Sequence, residues 1–232
     1  MSTIVSAFQF EVRYNHILNF SQIARKILAP YVKLTQSIKI ENENTLNERL
    51  ILNFEEDNYL IIVSWDRILL KGQHDLNPYT SKNSPVELPF LKILDRLKEL
   101  EEFGSIKNVL FAITYLKEYK IKKEELYQKF IEKFLVSNSH NILDNANDMA
   151  VTLENKKLKE ETAISFGPYN GTSELSRRSL IPVNITALGD TEFIGMMFEF
   201  KHGHATNEVT FEDFVRLTED AQKVFKKTSK IL

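Results

Sequence analysis

A two-residue alternation of apolar and polar side chains near the C-terminus constrains the fold more than any other feature of the sequence. Residues 180–204 contain two such runs, joined by Gly189 and Asp190. Alternation over this length predicts strands with one buried face. Glycine at the first central position suits a two-residue antiparallel turn. We therefore predict a β-hairpin over 180–204, with the rest of the sheet organised around it.

Strands and helices are predicted in the same order in both halves of the chain. Each half begins with an alternating strand, continues with an amphipathic helix and further strands, and ends with another amphipathic helix. The predicted helices are 16–29, 89–103, 122–136 and 210–232, and the predicted strands are 4–14, 35–43, 49–55, 59–64, 67–72, 106–115, 149–154, 161–166 and the two of the hairpin. Gly104 is the expected C-cap of the second helix, and Thr210 with Asp213 the expected capping box of the last.

This repeated order predicts an α+β fold of two pseudo-repeats, residues 1–104 and 105–232, each running strand, helix, strands, helix. A sheet that buries one side is usually antiparallel, with helices on that side. We therefore expect a curved antiparallel sheet with helices packed on one face, and two halves related by a pseudo-twofold axis in one compact unit. Phe111, Ile113, Phe198 and Phe214 are expected to be buried, because each lies on the apolar face of a patterned element.

Composition excludes several classes of function. The 232 residues include no cysteine, which excludes disulfides, zinc ribbons, iron–sulfur clusters and cysteine nucleophiles. The 30 basic and 32 acidic side chains leave a formal net charge of −2, which gives no long-range field to attract nucleic acid. No run approaches the roughly 18 apolar residues of a membrane span. We expect a cytoplasmic protein without membrane attachment and without a cofactor.

His202 and His204 are the best candidates for metal ligation. Residues two apart on a strand share a face, so both imidazoles could contact one ion. A catalytic zinc site needs a third protein ligand and an open position, and the spacing assigns neither. Gly203 and the polar residues after it indicate that the chain leaves the sheet there, which would leave the imidazoles solvated. We therefore expect no tight metal site and no catalytic residues.

Residues 167–178, predicted as a loop, are the candidate contact for an anion or a partner. Gly171, Ser173, Arg177 and Arg178 combine backbone amides, a hydroxyl and two guanidinium groups, which together can hold a phosphate. Neither a Walker spacing nor a dinucleotide fingerprint is present. Glycine and serine are also ordinary in loops, so a solvated connection between strands explains the same residues.

Two further segments could carry recognition. The predicted loop 73–89 is longer than most connections in compact domains, and such loops are often functional. Asp66 and Arg67 stand beside the only tryptophan, Trp65, and could form a ligand corner. Tryptophan packs more often in the core with its N–H group satisfied.

The sequence resembles a sporadically distributed family of uncharacterised prokaryotic proteins. The resemblance covers nearly the whole chain and is carried by FQFEVRY, NYLIIVSWDRILLKG, IKNVLFAITY, MMFEFKHGH and the C-terminal FEDFVRLTEDAQKVFKKTSKIL. The family has an Arg-Tyr pair followed by Asn in the central segment, where this chain has Ile113-Thr114-Tyr115-Leu116. The order of elements is also similar to the duplicated saddle of the TATA-binding protein fold. Neither resemblance implies a specific chemistry.

These observations favour a non-catalytic binding or assembly protein. Its expected partner is another protein or a second copy, as a subunit of a prokaryotic multi-protein system; the patchy distribution of the family suggests defence. Two alternatives stay open. The first is a nucleic-acid-binding module that uses the uncovered face of the sheet, and the second is a metal-dependent hydrolase or nuclease at His202 and His204. A clearly positive open face would favour the nucleic-acid hypothesis, and a mixed or apolar one would favour protein binding.

Overall fold

A computed structural model describes residues 3–54, 59–74, 76–134, 149–170 and 194–230. The described strands are β1 Thr3–Tyr14, β2 Ser37–Glu41, β3 Arg49–Phe54, β4 Tyr59–Ser64, β5 Arg67–His74, β6 Ile106–Glu118, β7 Val151–Lys156, β8 Glu160–Asn170 and β9 Ile194–Ala205. The described α-helices are α1 Phe20–Leu28, α2 Asn77–Thr80, α3 Lys92–Lys98, α4 Lys123–Phe134 and α5 Phe211–Thr228. Shorter helical segments are the 3-10 turns Ala29–Leu34 and Glu101–Phe103 and the π-helical Val86–Leu91.

All nine described strands form one antiparallel sheet, which confirms the predicted α+β class. The strand order is β2-β3-β4-β5-β1-β6-β9-β8-β7. In the first half, the last strand of the series β2 to β5 returns to pair with β1. In the second half, β9 returns in the same way to pair with β6. The two halves meet where β1 and β6 pair antiparallel at the centre of the sheet.

The arrangement in each half is therefore related, but the halves differ in size. Four strands follow α1 in the first half, and three described strands follow α4 in the second. Superposition of 1–104 on 105–232 about a pseudo-twofold axis stays a prediction, as do those boundaries.

The helices cover one face of the sheet and bury its aromatic side chains. Phe214 of α5 contacts the rings of Phe8, Phe10 and Phe111, with centroid distances of 5.8, 5.2 and 5.9 Å. The four residues predicted to be buried are no more than 3% exposed, which confirms that prediction; they are Phe111, Ile113, Phe198 and Phe214. One continuous core thus connects both halves beneath the helices.

Local sequence signals explain how two helices end or begin. The Thr210 hydroxyl accepts a hydrogen bond from the Asp213 amide, while the Asp213 carboxylate accepts one from the Thr210 amide, so the predicted capping box is confirmed. The predicted helix 89–103 is interrupted, because α3 ends at Lys98, and Gly104 instead ends the 3-10 turn Glu101–Phe103. Gly104 has φ +65°, a region that glycine adopts without strain. A β-carbon at Gly104 would also collide with the Asn15 side chain.

The structure corrects two sequence predictions about connections. The segment 73–89 is not a plain loop, because its described part contains α2 and the start of the π-helical turn, and it buries Tyr79 and Val86. β8 extends to Asn170, so the predicted loop 167–178 begins as strand. The Asn, Pro and Ser residues of 73–89 indicate a loop, but its buried apolar side chains pack into the core, where Tyr79 contacts Phe8 of β1.

The predicted hairpin over 180–204 is wrong in its pairing. Its first strand and its turn lie outside the described residues, and its second strand is β9. β6 and β8 occupy the two edges of β9 along its length. The sheet neighbours of β9 therefore are not residues 180–188. Alternation identified the strand correctly but could not identify its partner.

Candidate binding surface on the open face of the sheet

The face of the sheet opposite the helices, here called the open face, carries an unusual row of aliphatic side chains. Strand register places Ile51 beside Ile62, Ile62 beside Leu69, and Leu69 beside Glu11, which is opposite Leu110. Ile51, Ile62 and Leu110 are half-buried, and Leu69 is 7% exposed. We call Ile51, Ile62, Leu69 and Leu110 the aliphatic row. It crosses the sheet perpendicular to the strands.

Glu11 interrupts this row near the centre of the sheet. Its side chain is only 4% exposed and contacts two guanidinium groups, those of Arg13 at 2.5 Å and Arg67 at 3.5 Å. Gln9 donates a further hydrogen bond of 2.9 Å to the same carboxylate. A buried carboxylate is costly unless it is paired and hydrogen-bonded, and these contacts supply both. The ionic cluster at Glu11 therefore fixes the side chains around it.

The open face has mixed charge, and six of its cations lie close to carboxylates. Six basic side chains each lie within 4 Å of a carboxylate; they are Arg13, Lys39, Arg49, Arg67, Lys156 and Lys201. Lys71 is partly buried on the same face, and burial, followed by nearby Arg49, lowers its pKa, while Glu11 opposes this shift. The open-face strand positions whose side chains are described carry no aromatic ring.

A groove of about 870 Å³ extends this surface across the second half of the sheet. Leu110 and Ala112 of β6 form its floor beside Gln9 of β1, and Glu199 and Lys201 of β9 line it. The turn between β7 and β8 adds Lys157, Leu158 and Lys159 to the rim. The groove thus joins an apolar floor to a rim that carries charges of both signs, and it is continuous with the aliphatic row at Leu110.

The two histidines lie on the opposite face from this groove floor. β9 continues to Ala205, so the expectation that the chain leaves the sheet at Gly203 is wrong. His202 and His204 are half-buried, and Thr162 Oγ1 lies 2.9 Å from His202 Nδ1. Within the described ranges, no three His, Asp or Glu residues form a cluster suited to a metal ion.

Of the other candidate residues from the sequence, the structure describes those around Trp65 but not those of the predicted anion site. Gly171, Ser173, Arg177 and Arg178 lie outside the described residues. Trp65 is half-buried and stacks on His16, with ring centroids 4.1 Å apart.

At the predicted ligand corner, the carboxylate and the guanidinium group already satisfy each other. Arg67 donates two hydrogen bonds to Asp66, of 3.0 and 2.8 Å. Burial alone would raise the pKa of Asp66, but hydrogen bonds from Arg67 and Ser64 lower it.

Sequence reasoning missed the aliphatic row, although a signal for it was present. The runs LILNF in β3 and YLIIVS in β4 are apolar at consecutive positions instead of alternating. Such runs indicate side chains of low polarity on both faces of a strand. One set enters the core, and the other set, which includes Ile51 and Ile62, lies on the open face.

The fold and surface define an α+β protein with an open antiparallel sheet, whose open face carries the aliphatic row and side chains of both charges. No protein-family model matches the chain, and no curated protein matches it. In the part of the chain that the structure describes, no helix combines the length and hydrophobicity needed to cross a membrane.

Proposed function

We propose that this chain is a cytoplasmic, non-catalytic binding protein that docks another protein on the open face of its sheet, as a subunit of a multi-protein assembly. The observation that carries the proposal is the aliphatic row. Strand pairing fixes the backbone beneath the row, so little backbone entropy remains to be lost on binding. Apolar surface rimmed by polar residues is typical of protein interaction sites.

The distribution of charge supports a protein partner over nucleic acid. Binding to single-stranded nucleic acid uses cations along a groove and aromatic side chains on which bases stack. Six basic side chains of the open face lie within 4 Å of a carboxylate, and its described strand positions offer no ring for stacking. A protein partner with a matching apolar ridge and a polar rim fits such a surface better.

A comparative pulldown from the source organism tests the proposal. The bait is the full chain, either unchanged or with Ile62→Arg, which places a charge in the aliphatic row. Leu18→Arg is the matched control, because Leu18 is 73% exposed and lies outside the sheet. We expect specific proteins to be captured by the unchanged chain and by Leu18→Arg but lost with Ile62→Arg, and the purified partner to bind with the same dependence.

If the Ile62→Arg bait captured every protein that the unchanged chain captures, the proposed use of this face would be contradicted.

Fluorescence anisotropy with labelled single- and double-stranded oligonucleotides tests the alternative function, a nucleic-acid-binding module. We expect nothing stronger than the non-specific range, a Kd of about 10⁻⁴–10⁻⁶ M at physiological salt. Tight binding that weakens steeply with salt and with Arg49→Ala would instead support a nucleic-acid-binding module.

A further inference from the structure

The edge strand β2 is exposed in a way that sheet edges usually avoid. Among the described strands, β2 has one neighbour, β3, so one row of its backbone N–H and C=O groups faces away from the sheet. Proteins commonly protect such edges with proline, bulges, inward charges or a covering element. β2 is only five residues long and carries Lys39, which are two further protections of this kind, but the described residues place no proline, bulge or covering element at it, and four of its five residues are exposed. It therefore presents a template for a further antiparallel strand.

Apolar side chains surround this edge on the face that the helices cover. Ile38 and Ile40 are 36% and 37% exposed, although their register partners Leu52 and Leu50 are buried. Val32 and Leu34, in the 3-10 turn that precedes β2, are 47% and 60% exposed. The core of the sheet thus continues to an edge where the described residues leave its last apolar side chains partly exposed, and a partner strand would cover more of them.

The sequence of β2 is complementary to itself in one antiparallel register. Within one chain, Lys39 contacts Glu41 at 2.6 Å, and Glu41 also contacts Arg49 at 2.7 Å. If a twofold axis passes beside Ile40, then Ile40 lies opposite its own copy, and Lys39 also lies opposite Glu41 of the partner subunit on both sides of the axis. Opposite charges at facing positions stabilise a strand pair, and like charges destabilise it. An axis at Lys39 or at Glu41 would instead place two like charges in direct opposition. An axis at Ile38 would place Lys39 opposite Ser37 of the partner subunit, without a like-charge pair but also without an ion pair. Charge therefore favours the register with the axis at Ile40.

We infer that β2 pairs antiparallel with β2 of a second copy of this chain about a twofold axis at Ile40, so that two nine-stranded sheets join into one. Such an interface is isologous and closes at a dimer. The inference goes beyond the proposed function, because it concerns the edge of the sheet and leaves the open face free. The two can fail independently.

The absence of cysteine makes a direct test of the register straightforward. In the full chain, Ile40→Cys places the only thiol at the axis. Facing residues of an antiparallel pair have Cα atoms about 4.5–5.5 Å apart, within the range that a disulfide spans. Ile38→Cys is the matched control. It would be offset by four residues from its own copy, on the order of 13 Å along the strand. Mild oxidation should cross-link Ile40→Cys efficiently and Ile38→Cys hardly at all.

Light scattering coupled to size exclusion supplies the second readout. The unchanged chain should have twice its mass of 27.0 kDa. Ile40→Lys should shift it to the monomer, with a circular dichroism spectrum that stays unchanged. Leu153→Lys, at the exposed Leu153 of the opposite edge strand β7, should leave the dimer intact. A monomeric unchanged chain, equal cross-linking of both cysteine variants, or open-ended oligomers that Leu153→Lys abolishes would overturn the inference.

Discussion

Burial beside α5 lowers the pKa of both His202 and His204 below the usual 6.5. His204 further lowers the pKa of His202, and Arg216 lowers that of both, while Glu160, Asp213 and Asp220 act in the opposite direction. The unfolded chain therefore binds protons at these residues before the folded chain does. We expect the free energy of unfolding to fall as the pH drops below about 6.5. Urea unfolding at a series of pH values measures this slope.

The non-titrating variant His202→Gln, His204→Gln isolates that contribution, because glutamine is a neutral polar residue at every pH tested. It should have a flatter pH dependence between about 5 and 7, even if it is less stable throughout. Carboxylates titrate in both proteins and provide a common background. Equal slopes for the two proteins would show that the histidines do not have lowered pKa values.

Tight binding of a divalent metal at this histidine pair is not expected. The Thr162 hydroxyl lies within hydrogen-bond distance of His202 Nδ1, which makes this nitrogen less available to a metal ion. The described residues supply no third ligand of the histidine or carboxylate type. A ligand specific for the folded state, at about 100 times its dissociation constant, adds about 2.7 kcal/mol of stability. We expect zinc or manganese to leave the melting temperature unchanged. A rise that His202→Ala, His204→Ala abolishes would favour the metal-dependent hydrolase.

Phe198 provides a test of the predicted core. It is 3% exposed and contacts the ring of Phe225 at 5.1 Å and that of Phe166 at 6.2 Å. Phe198→Ala should lower the free energy of unfolding by about 3–5 kcal/mol, because the cavity left by a large aromatic side chain is only partly filled. Leu158→Ala, at a fully exposed position, should change it by less than about 0.5 kcal/mol. If Phe198→Ala and Leu158→Ala lowered the free energy of unfolding by similar amounts in denaturant unfolding, the assignment of Phe198 to the core would be contradicted.

Single residues were predictable where the signal was local. Alternation placed Phe111 and Phe198 in the core because a strand in a one-sided sheet buries every second residue. The position of His204 was misread, because glycine and polar residues usually mark the end of a strand, whereas here β6 and β8 keep Gly203 paired on both sides. The cluster at Glu11 brings Arg67 to Arg13 from a distant segment, and no local pattern contains that information.

At the level of elements, the start of α5 depends on its cap. Thr210 and Asp213 exchange hydrogen bonds that satisfy backbone amides otherwise without partners at a helix start. Thr210→Ala should destabilise the protein by about 1 kcal/mol, measured as the change in urea midpoint at a constant slope. Thr210→Ser retains the hydroxyl and should cost clearly less. Equal losses in the two variants would show that packing, and not capping, fixes this end of α5.

Most elements could be predicted from the sequence, since their signals lie within one segment. Strands β1 to β5 and the helices α4 and α5 follow apolar periodicity and turn residues. The segment 73–89 could not be predicted in this way, because its Asn, Pro and Ser residues are typical of a loop. Tyr79 nevertheless packs edge-on against Phe8, with centroids 4.6 Å apart, and tertiary packing supports a short helix there.

Strand pairing in the whole molecule was the least predictable feature. The predicted hairpin assumed that neighbours in sequence are neighbours in the sheet, which holds for β3, β4 and β5. It fails at β9, which lies between β6 and β8, and at β1, which lies between β5 and β6. These pairings depend on contacts between distant segments. The open face and its aliphatic row follow from them and could not be predicted without the strand order.

This central pairing also predicts that the halves unfold together. β1 belongs to the first half, yet it pairs with β6 along most of its length, and Phe214 of α5 contacts its Phe8 and Phe10. Phe214→Ala should therefore destabilise both halves equally, by about 3–5 kcal/mol. Native-state hydrogen exchange measures this residue by residue.

The amides of Leu52 in β3 and Ile61 in β4 should lose as much protection as that of Phe200 in β9. Leu18→Ala, at an exposed position of the first half, should change none of them. If the amides of Leu52 and Ile61 kept their protection while that of Phe200 lost it, residues 1–104 and 105–232 would be separate folding units. A domain with its own core is not destabilised by a cavity in the neighbouring domain. One cooperative loss is what a core shared through β1 and β6 requires.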